Sequence, residues 1–286
     1  MKKVLVFLLM FPAVIVCNDL NAQSVNNTVN DGIYEKVHVP ARKPIPLPYL
    51  READMMWTKK VWRVIDLREK INHPLYFPTT PIGTRKSLAQ VLIDGVRNEG
   101  INAYKTDDFT RPELMSWEDV KLTFDAVDRE RTGKTLDGRD TVMLEKGEIR
   151  SSEIKEIILK EEWYFNKQTS TMGVRIIGMC PIRYYVKPSA DGIPQVSKNM
   201  TFWIHFPEVR QQLVTHEVFN QSNDAKRLTF DDIFFKRFFG SYIVQESNVY
   251  NNRRINDYTV GGVKAQMEAE RIKMDLFELE HDVWEY

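Results

Sequence analysis

Cysteine and histidine are the residues of this sequence whose chemistry could support catalysis, but their setting argues against it. Cys180 and His205 could pair as a nucleophile and its general base. Cys180, however, lies in a run of branched and aromatic residues typical of a β-strand, where a cysteine usually serves as a small core residue. Acidic residues are plentiful, yet no pair is isolated in an apolar setting that would raise a pKa. The sequence therefore predicts no catalytic residue and no cofactor.

Two segments resemble metal-binding motifs and fail on spacing. His216-Glu217 begins like the helix of a zinc protease, but Asn220 stands where that motif needs its second histidine. In the acidic segment near residue 130, a calcium loop beginning at Asp128 would place Arg139 at its twelfth position, which requires a bidentate glutamate. The sequence therefore predicts no metal site.

Length and composition indicate a folded protein without a dominant charge. The chain has 286 residues, of which 43% are hydrophobic, and this is enough for a packed core of one large or two ordinary domains. Its 40 basic and 40 acidic residues cancel, so no global field favours nucleic acid or an anionic membrane.

The first 22 residues have the pattern of an export signal. Lys2 and Lys3 precede an apolar run that is short for a membrane span, and a cleavage site follows Ala22. A lipoprotein signal acylated at Cys17 is the alternative, but Val16 stands where such signals need a small residue. We therefore expect residues 1–22 to be a signal peptide and the protein to be exported.

Residues 23–51 differ from the rest of the chain because they are polar at first and then rich in proline. Pro44-Ile45-Pro46-Leu47-Pro48-Tyr49 predicts a stiff, extended arm, since proline fixes φ and favours extended geometry in the residue before it. A disordered leader is the alternative. Apolar residues on such an arm favour contact with another surface, and we assign four of them to partner binding: Ile45, Leu47, Tyr49 and Leu50.

The remaining chain shows a repeated order of sequence patterns, which predicts a first module over residues 52–162 and a second over residues 163–286. Each begins with an aromatic strand that ends in Phe-Pro, continues with an amphipathic helix, and then starts a second helix with an acid. Ser116 with Asp119, and Thr229 with Asp232, fit helix capping boxes at those second starts. Each module is predicted to be a short antiparallel β-hairpin packed with helices, which is an α+β arrangement.

The individual elements follow from periodicity and turn signals. Strands are predicted at 62–66, 75–77, 174–186 and 202–206, a hairpin turn at Asp137-Gly138, and helices at 85–98, 117–129, 151–162, 209–218, 229–242 and 263–283. The 151–162 helix rests on the spacing of Ile154, Ile157 and Ile158.

Aromatic residues near the end of the chain indicate a second contact region. The 229–242 segment carries aromatic residues on more than one face, and aromatic residues at a C-terminus usually mean that the tail is docked. We assign Phe235, Phe239, Trp284 and Tyr286 to partner binding on this basis. Trp203 and Tyr185 leave an exported peptidoglycan- or glycan-binding module as the alternative function.

Four strings of residues resemble the GldN/PorN family, and within it the PorN branch. They are Glu162-Trp163-Tyr164-Phe165, the strand from Gly173 to Tyr185, the run from Phe202 to Arg210, and the run from Arg237 to Ile243. The Pro-rich arm after an export signal is also similar to this family, so the resemblance covers essentially the whole mature chain.

This resemblance implies a non-catalytic component of the type IX secretion and gliding motility machinery. It implies a location in the periplasm, at the inner face of the outer membrane, and a large ring built from neighbouring copies together with the lipoprotein GldK/PorK. It also implies contact with the periplasmic part of the motor component GldM/PorM. On this reading, residues 33–51 lie on the lipoprotein partner.

Overall fold

The fold, described by a computed structural model, combines a curled antiparallel sheet with several helices. The description covers residues 39, 41–134, 140–187, 194–220, 223 and 225–284. Its strands are β1 Met55–Asp66, β2 Ala103–Tyr104, β3 Leu114–Met115, β4 Arg129–Lys134, β5 Asp140–Glu145, β6 Ile154–Asn166, β7 Thr171–Lys187, β8 Gln195–Met200, β9 Ile204–His205 and β10 Tyr242–Glu246. Its α-helices are α1 His73–Tyr76, α2 Leu88–Asn98, α3 Trp117–Thr123, α4 Phe206–Thr215, α5 Phe230–Phe235, α6 Ile255–Tyr258 and α7 Gly262–Trp284. The predicted α+β class is confirmed.

The main sheet has the strand order β10-β1-β6-β7-β8, with β9 paired to β7, and all of these pairs are antiparallel. β-Bulges interrupt the ladder between Trp62 and Arg63 on β1 and between Lys160 and Glu161 on β6. Because a bulge bends its strand and increases the local twist, these positions account for the curl of the sheet. Separate two-stranded ribbons are formed by β2 with β3 and by β4 with β5.

The helix predicted at 151–162 is wrong, because this segment is mostly strand β6 after a 3-10 turn over Ser151–Glu153. From Ile157 to Glu161 every residue of β6 is buried. A strand covered on both faces shows no alternation of polar and apolar residues, and branched residues such as Ile157 and Ile158 favour extended backbone. Its three isoleucines therefore mimic helical spacing while they pack on opposite faces of a sheet.

The two-module organisation is not confirmed by the structure. The predicted boundary after residue 162 falls inside β6, and β1 of the first module pairs with both β6 and β10. Contacts group residues 37–286 into one compact unit. The repeated capping boxes do form, at Ser116 with Asp119 and at Thr229 with Asp232.

Local predictions have mixed outcomes. The strand predictions at 62–66 and 174–186 are confirmed by β1 and β7, and the helix predictions at 85–98 and 263–283 by α2 and α7. The 75–77 strand is wrong because these residues lie mostly in α1, whereas the 202–206 strand shortens to β9. The 117–129 and 229–242 helices shorten to α3 and α5. Strands β4 and β5 form the predicted hairpin, whose Asp137-Gly138 turn lies outside the described residues.

The main core lies between one face of the sheet and helices α2, α4 and α5. Ile157 and Leu159 of β6 and Met179 of β7 face this side and are fully buried. The helices and the segments next to them contribute Leu88, Val91, Leu92, Phe202, Val209, Leu213, Phe230 and Phe234. Alternate residues of the same strands face the other side, where Trp62, Val64, Ile158, Cys180, Ile182 and Trp203 form a second cluster.

Helix α7 covers the end of the sheet next to β10. Ala269, Ile272 and Leu276 pack against Val61 of β1 and Ile243 of β10. The rest of α7 is mostly exposed and carries many charged residues. Within the part of the chain that the structure describes, no helix is both long and apolar enough to span a bilayer.

We predict that Leu159→Ala lowers the free energy of unfolding by about 2–5 kcal/mol, because it removes a fully buried side chain from the central strand. Urea unfolding followed by circular dichroism would measure this change. Leu122→Ala in α3 is the matched control, since Leu122 is 62% exposed and the expected change is within about 0.5 kcal/mol. Equal effects of the two substitutions would contradict the central position of β6.

Candidate interaction surfaces

The N-terminal segment, described at Val39 and over residues 41–50, lies outside helices and strands there and is anchored to the body at two points. Arg42 donates two hydrogen bonds to the Asp232 carboxylate, with Nη1 to Oδ2 at 2.7 Å and Nη2 to Oδ1 at 3.1 Å. Farther along, the carbonyl oxygen of Pro48 accepts a hydrogen bond from Arg175 on β7. Val39 is buried. These contacts do not test whether residues 33–51 lie on a partner, so that expectation stays a prediction.

The acid that holds Arg42 also caps helix α5. Asp232 Oδ2 accepts hydrogen bonds from the Thr229 backbone and hydroxyl, and its own N–H donates to Thr229 Oγ1 at 3.2 Å. Burial raises the pKa of Asp232, but the hydrogen bonds from Arg42 and Thr229 outweigh it and hold the pKa below its ordinary value. One carboxylate thus joins the N-terminal segment to the start of α5.

Between its two anchors, the same segment presents apolar side chains to solvent. Ile45 and Leu47 are exposed, Tyr49 is 88% exposed, and Leu50 is half-buried. An aromatic side chain with nearly its whole surface in water gains nothing from the fold of its own chain. These four residues, which we assigned to partner binding from the sequence, are therefore placed where a partner could cover them. Their role in binding stays a prediction.

The aromatic residues after α5 divide between core and surface. Phe230 and Phe234 are buried, while Phe235 is about half exposed. The predicted partner-binding residue Phe239 is half-buried, and its ring centroid lies 5.8 Å from that of Phe234. Phe238, which we did not assign from the sequence, is more exposed than either predicted residue. Its position in the same aromatic run was the available signal.

Helix α7 has a second apolar stripe, apart from the residues that pack on the sheet. The stripe consists of the exposed residues Val263, Met267, Met274 and Phe277. Their spacing places them on one face of a helix, whereas Ala269, Ile272 and Leu276 point toward the sheet. Methionine side chains adapt to varied partners, and an exposed apolar stripe of this kind is typical of an interface. We name these four residues the α7 stripe.

The structure describes the C-terminal residues Trp284 and Tyr286, which we assigned to partner binding, only in part. Trp284 is the last residue of α7, but its side chain lies outside the described part of the structure, as does Tyr286. Their assignment stays a prediction. The sequence did not indicate the α7 stripe, because its members are interleaved with charged residues such as Lys264, Glu270 and Lys273.

The cysteine that could have carried chemistry is buried. Burial raises the pKa of the Cys180 thiol to about 12, so the thiol stays protonated and unreactive near neutral pH. His205 Nδ1 lies 3.2 Å from Glu208 Oε1. The described residues contain no cluster of three or more side chains suited to a metal ion.

The glycan-binding alternative depended on open aromatic faces. Trp203 is only 6% exposed and packs in the cluster that contains Trp62 and Ile158. Tyr185 is half-buried, and two cationic side chains, Arg183 and Lys187, lie over its ring. A sugar that stacks on a ring needs a free aromatic face, which Trp203 does not offer.

The fold and these surfaces define an α+β protein that exposes apolar side chains on an anchored N-terminal segment and along its last helix. Residues 50–285 match the family described as gliding motility associated protein GldN. The chain therefore belongs to the GldN family, which is associated with gliding motility and type IX secretion and is not known as a family of enzymes. This confirms the resemblance at the level of the family. No curated protein matches the chain.

We predict that Arg42→Ala releases the N-terminal segment from the body. Loss of the bidentate ion pair leaves one anchor at Pro48, so exchange of the residue 42 amide, which donates to the Val39 carbonyl at 3.1 Å, should become faster by about tenfold or more. Lys43→Ala is the control, because Lys43 is exposed and makes no described ion pair. Unchanged exchange in Arg42→Ala would show that the ion pair does not hold the segment.

The same ion pair predicts a pH dependence of stability. Because the pKa of Asp232 is lowered in the folded state, the ionised carboxylate stabilises the fold above pH ~4, and this contribution is lost as the pH falls through the folded pKa. Urea unfolding should show Arg42→Ala about 1–2 kcal/mol less stable than the parent chain at pH 7. The difference should vanish at strongly acid pH and in the Asp232→Asn background.

Proposed function

We propose that this protein is a structural subunit of the type IX secretion system. In this proposal it forms a periplasmic ring with the outer-membrane lipoprotein GldK/PorK and contacts the motor component GldM/PorM. Membership of the GldN family carries the proposal. The apolar surfaces support it, because a ring subunit needs surfaces that other chains cover.

Each surface has a place in this proposal. The exposed residues of the N-terminal segment, Ile45, Leu47 and Tyr49, contact the lipoprotein. The α7 stripe and the exposed aromatic residues after α5 contact neighbouring copies or the motor component. The export pattern of residues 1–22 supports a periplasmic location, with association to the outer membrane through the lipoprotein. Within the family, we place the chain in the PorN branch.

The anchoring of the N-terminal segment decides how this proposal is best tested. Deleting the whole segment would also remove Val39, Arg42 and Pro48, which contact the body. Loss of binding after such a deletion could then reflect damage to the fold. Substitutions confined to the exposed side chains avoid this problem.

We predict that Ile45→Ser, Leu47→Ser and Tyr49→Ser combined abolish co-purification with the lipoprotein from native envelopes. The circular dichroism spectrum should not change, because these side chains are exposed. Val249→Ser combined with Val260→Ser is the matched control, since both valines are exposed elsewhere on the body. Full co-purification of the triple variant would reject the proposed contact.

A further inference from the structure

A buried carboxylate beside α7 is shared by two arginines. Glu161 of β6 is fully buried. Arg237 contacts it through Nη1 to Oε1 at 2.9 Å and Nη2 to Oε2 at 3.1 Å, while Arg63 Nε lies 3.2 Å from Oε2. Trp163 Nε1 donates to the same Oε2 at 3.3 Å. Two guanidinium groups against one carboxylate leave one excess positive charge.

Arg63 has unused hydrogen-bonding capacity. Its side chain is only 9% exposed, and its Nε, although near Glu161, has no partner in hydrogen-bonding geometry. A guanidinium offers five N–H donors, and burying it without acceptors is costly. Burial accordingly lowers the pKa of Arg63.

The two arginines face a cleft with apolar walls. The cleft has a volume of about 580 Å³ and lies between the sheet and α7. Trp163, Phe239 and the α7 residues Met274 and Phe277 line it. Lys273 and Glu280 line it as well, and their opposite charges offset each other. Met274 and Phe277 belong to the α7 stripe, so the cleft is continuous with that exposed apolar surface.

The backbone at Arg237 is an independent sign that this side chain is required. Its φ is +55°, in the left-handed region, directly after the C-cap of α5. Glycine or asparagine is the usual residue at this position, and a longer side chain there costs about 1–2 kcal/mol. Instead, the chain has an arginine whose guanidinium lies 5.6 Å from the centre of the Trp163 ring. Such outliers cluster at functional sites.

We propose that this cleft binds a carboxylate side chain on an acidic, apolar segment of a partner protein. The single excess positive charge matches one monoanion, and the arginine fork matches a carboxylate. The apolar walls fit the aromatic or aliphatic neighbours of that acid, as in recognition of peptides through anchors in a groove. This inference goes beyond the proposed ring, because it concerns the chemistry of one contact and does not need the identity of the partner.

The direct test uses two blocked peptides and the purified chain. The first is acetyl-Leu-Glu-Phe-Leu-amide, and the second carries glutamine in place of glutamate. We expect the acidic peptide to shift the indole N–H signal of Trp163 in a ¹H–¹⁵N NMR titration and to bind at least tenfold more tightly than the neutral peptide. Equal binding of the two peptides, or binding that leaves the Trp163 signal unmoved, would overturn the proposal.

Variants distinguish binding in the cleft from a general electrostatic attraction to α7. Arg63→Met should weaken binding of the acidic peptide at least tenfold, and Lys273→Met should weaken it severalfold. Arg271→Met is the matched control, since Arg271 lies on α7 but does not line the cleft. If Arg63→Met fails to fold, the comparison of Lys273→Met with Arg271→Met still tests the proposal. Equal effects of these two substitutions on binding of the acidic peptide would overturn it.

Two other occupants are distinguished by further measurements. Inorganic phosphate that displaces the acidic peptide at submillimolar concentration would overturn the proposal in favour of a phosphate site. Sedimentation of the purified chain alone tests for a second copy. Self-association that Arg63→Met abolishes would show that the cleft binds another molecule of this protein instead of a different partner. A chain that stays monomeric supports the proposal.

Discussion

The structure depends on the burial of one strand on both faces. The middle of β6 hydrogen-bonds to β1 on one side and β7 on the other, while its side chains point alternately into two hydrophobic clusters. Backbone polar groups in such a position need partners throughout, because an unpaired buried amide costs as much as a lost hydrogen bond. The long ladders that β1 and β7 form with β6 follow from this requirement. Helices from both ends of the sequence then cover the sheet that these strands form.

The burial of β6 also explains which elements of the fold could be predicted from the sequence. The capping boxes at Ser116 and Thr229 were predictable because each involves residues three positions apart. Strand β7 and helix α7 were predictable because their composition or periodicity favours one conformation. β6 was not, since its isoleucines at 154, 157 and 158 are compatible with a helix face and with a strand buried on both sides.

The candidate sites were harder to predict, because their residues are distant in sequence. Ile45, Leu47 and Tyr49 were identified from composition alone, since apolar residues between prolines cannot form a core. The anchor of Arg42 on Asp232, across 190 residues, has no local signal. The α7 stripe was hidden because charged residues of the same helix alternate with it. The cleft beside it requires four separate segments to meet.

Glu161 links stability to recognition. Removing one partner of a buried ion pair usually costs several kcal/mol, because the other charge is then left in a poorly solvating interior. Here the carboxylate already has more cationic partners than it can neutralise, so the buried group carries a net positive charge that is only partly compensated. The same arrangement therefore joins β1, β6 and the residues after α5, and it is the basis of the anion binding that we propose for the cleft.

The attachment of Arg42 has a consequence for reach. If the chain before β1 made no contact with the body, the stretch from Arg42 to Asp54 could extend by roughly 40 Å. With the ion pair formed, the chain is already fixed to the body at residue 42. A pull on the leader would then load the start of α5 and the core beneath it before it reached β1. One guanidinium and one carboxylate therefore help to determine where such a load enters the body.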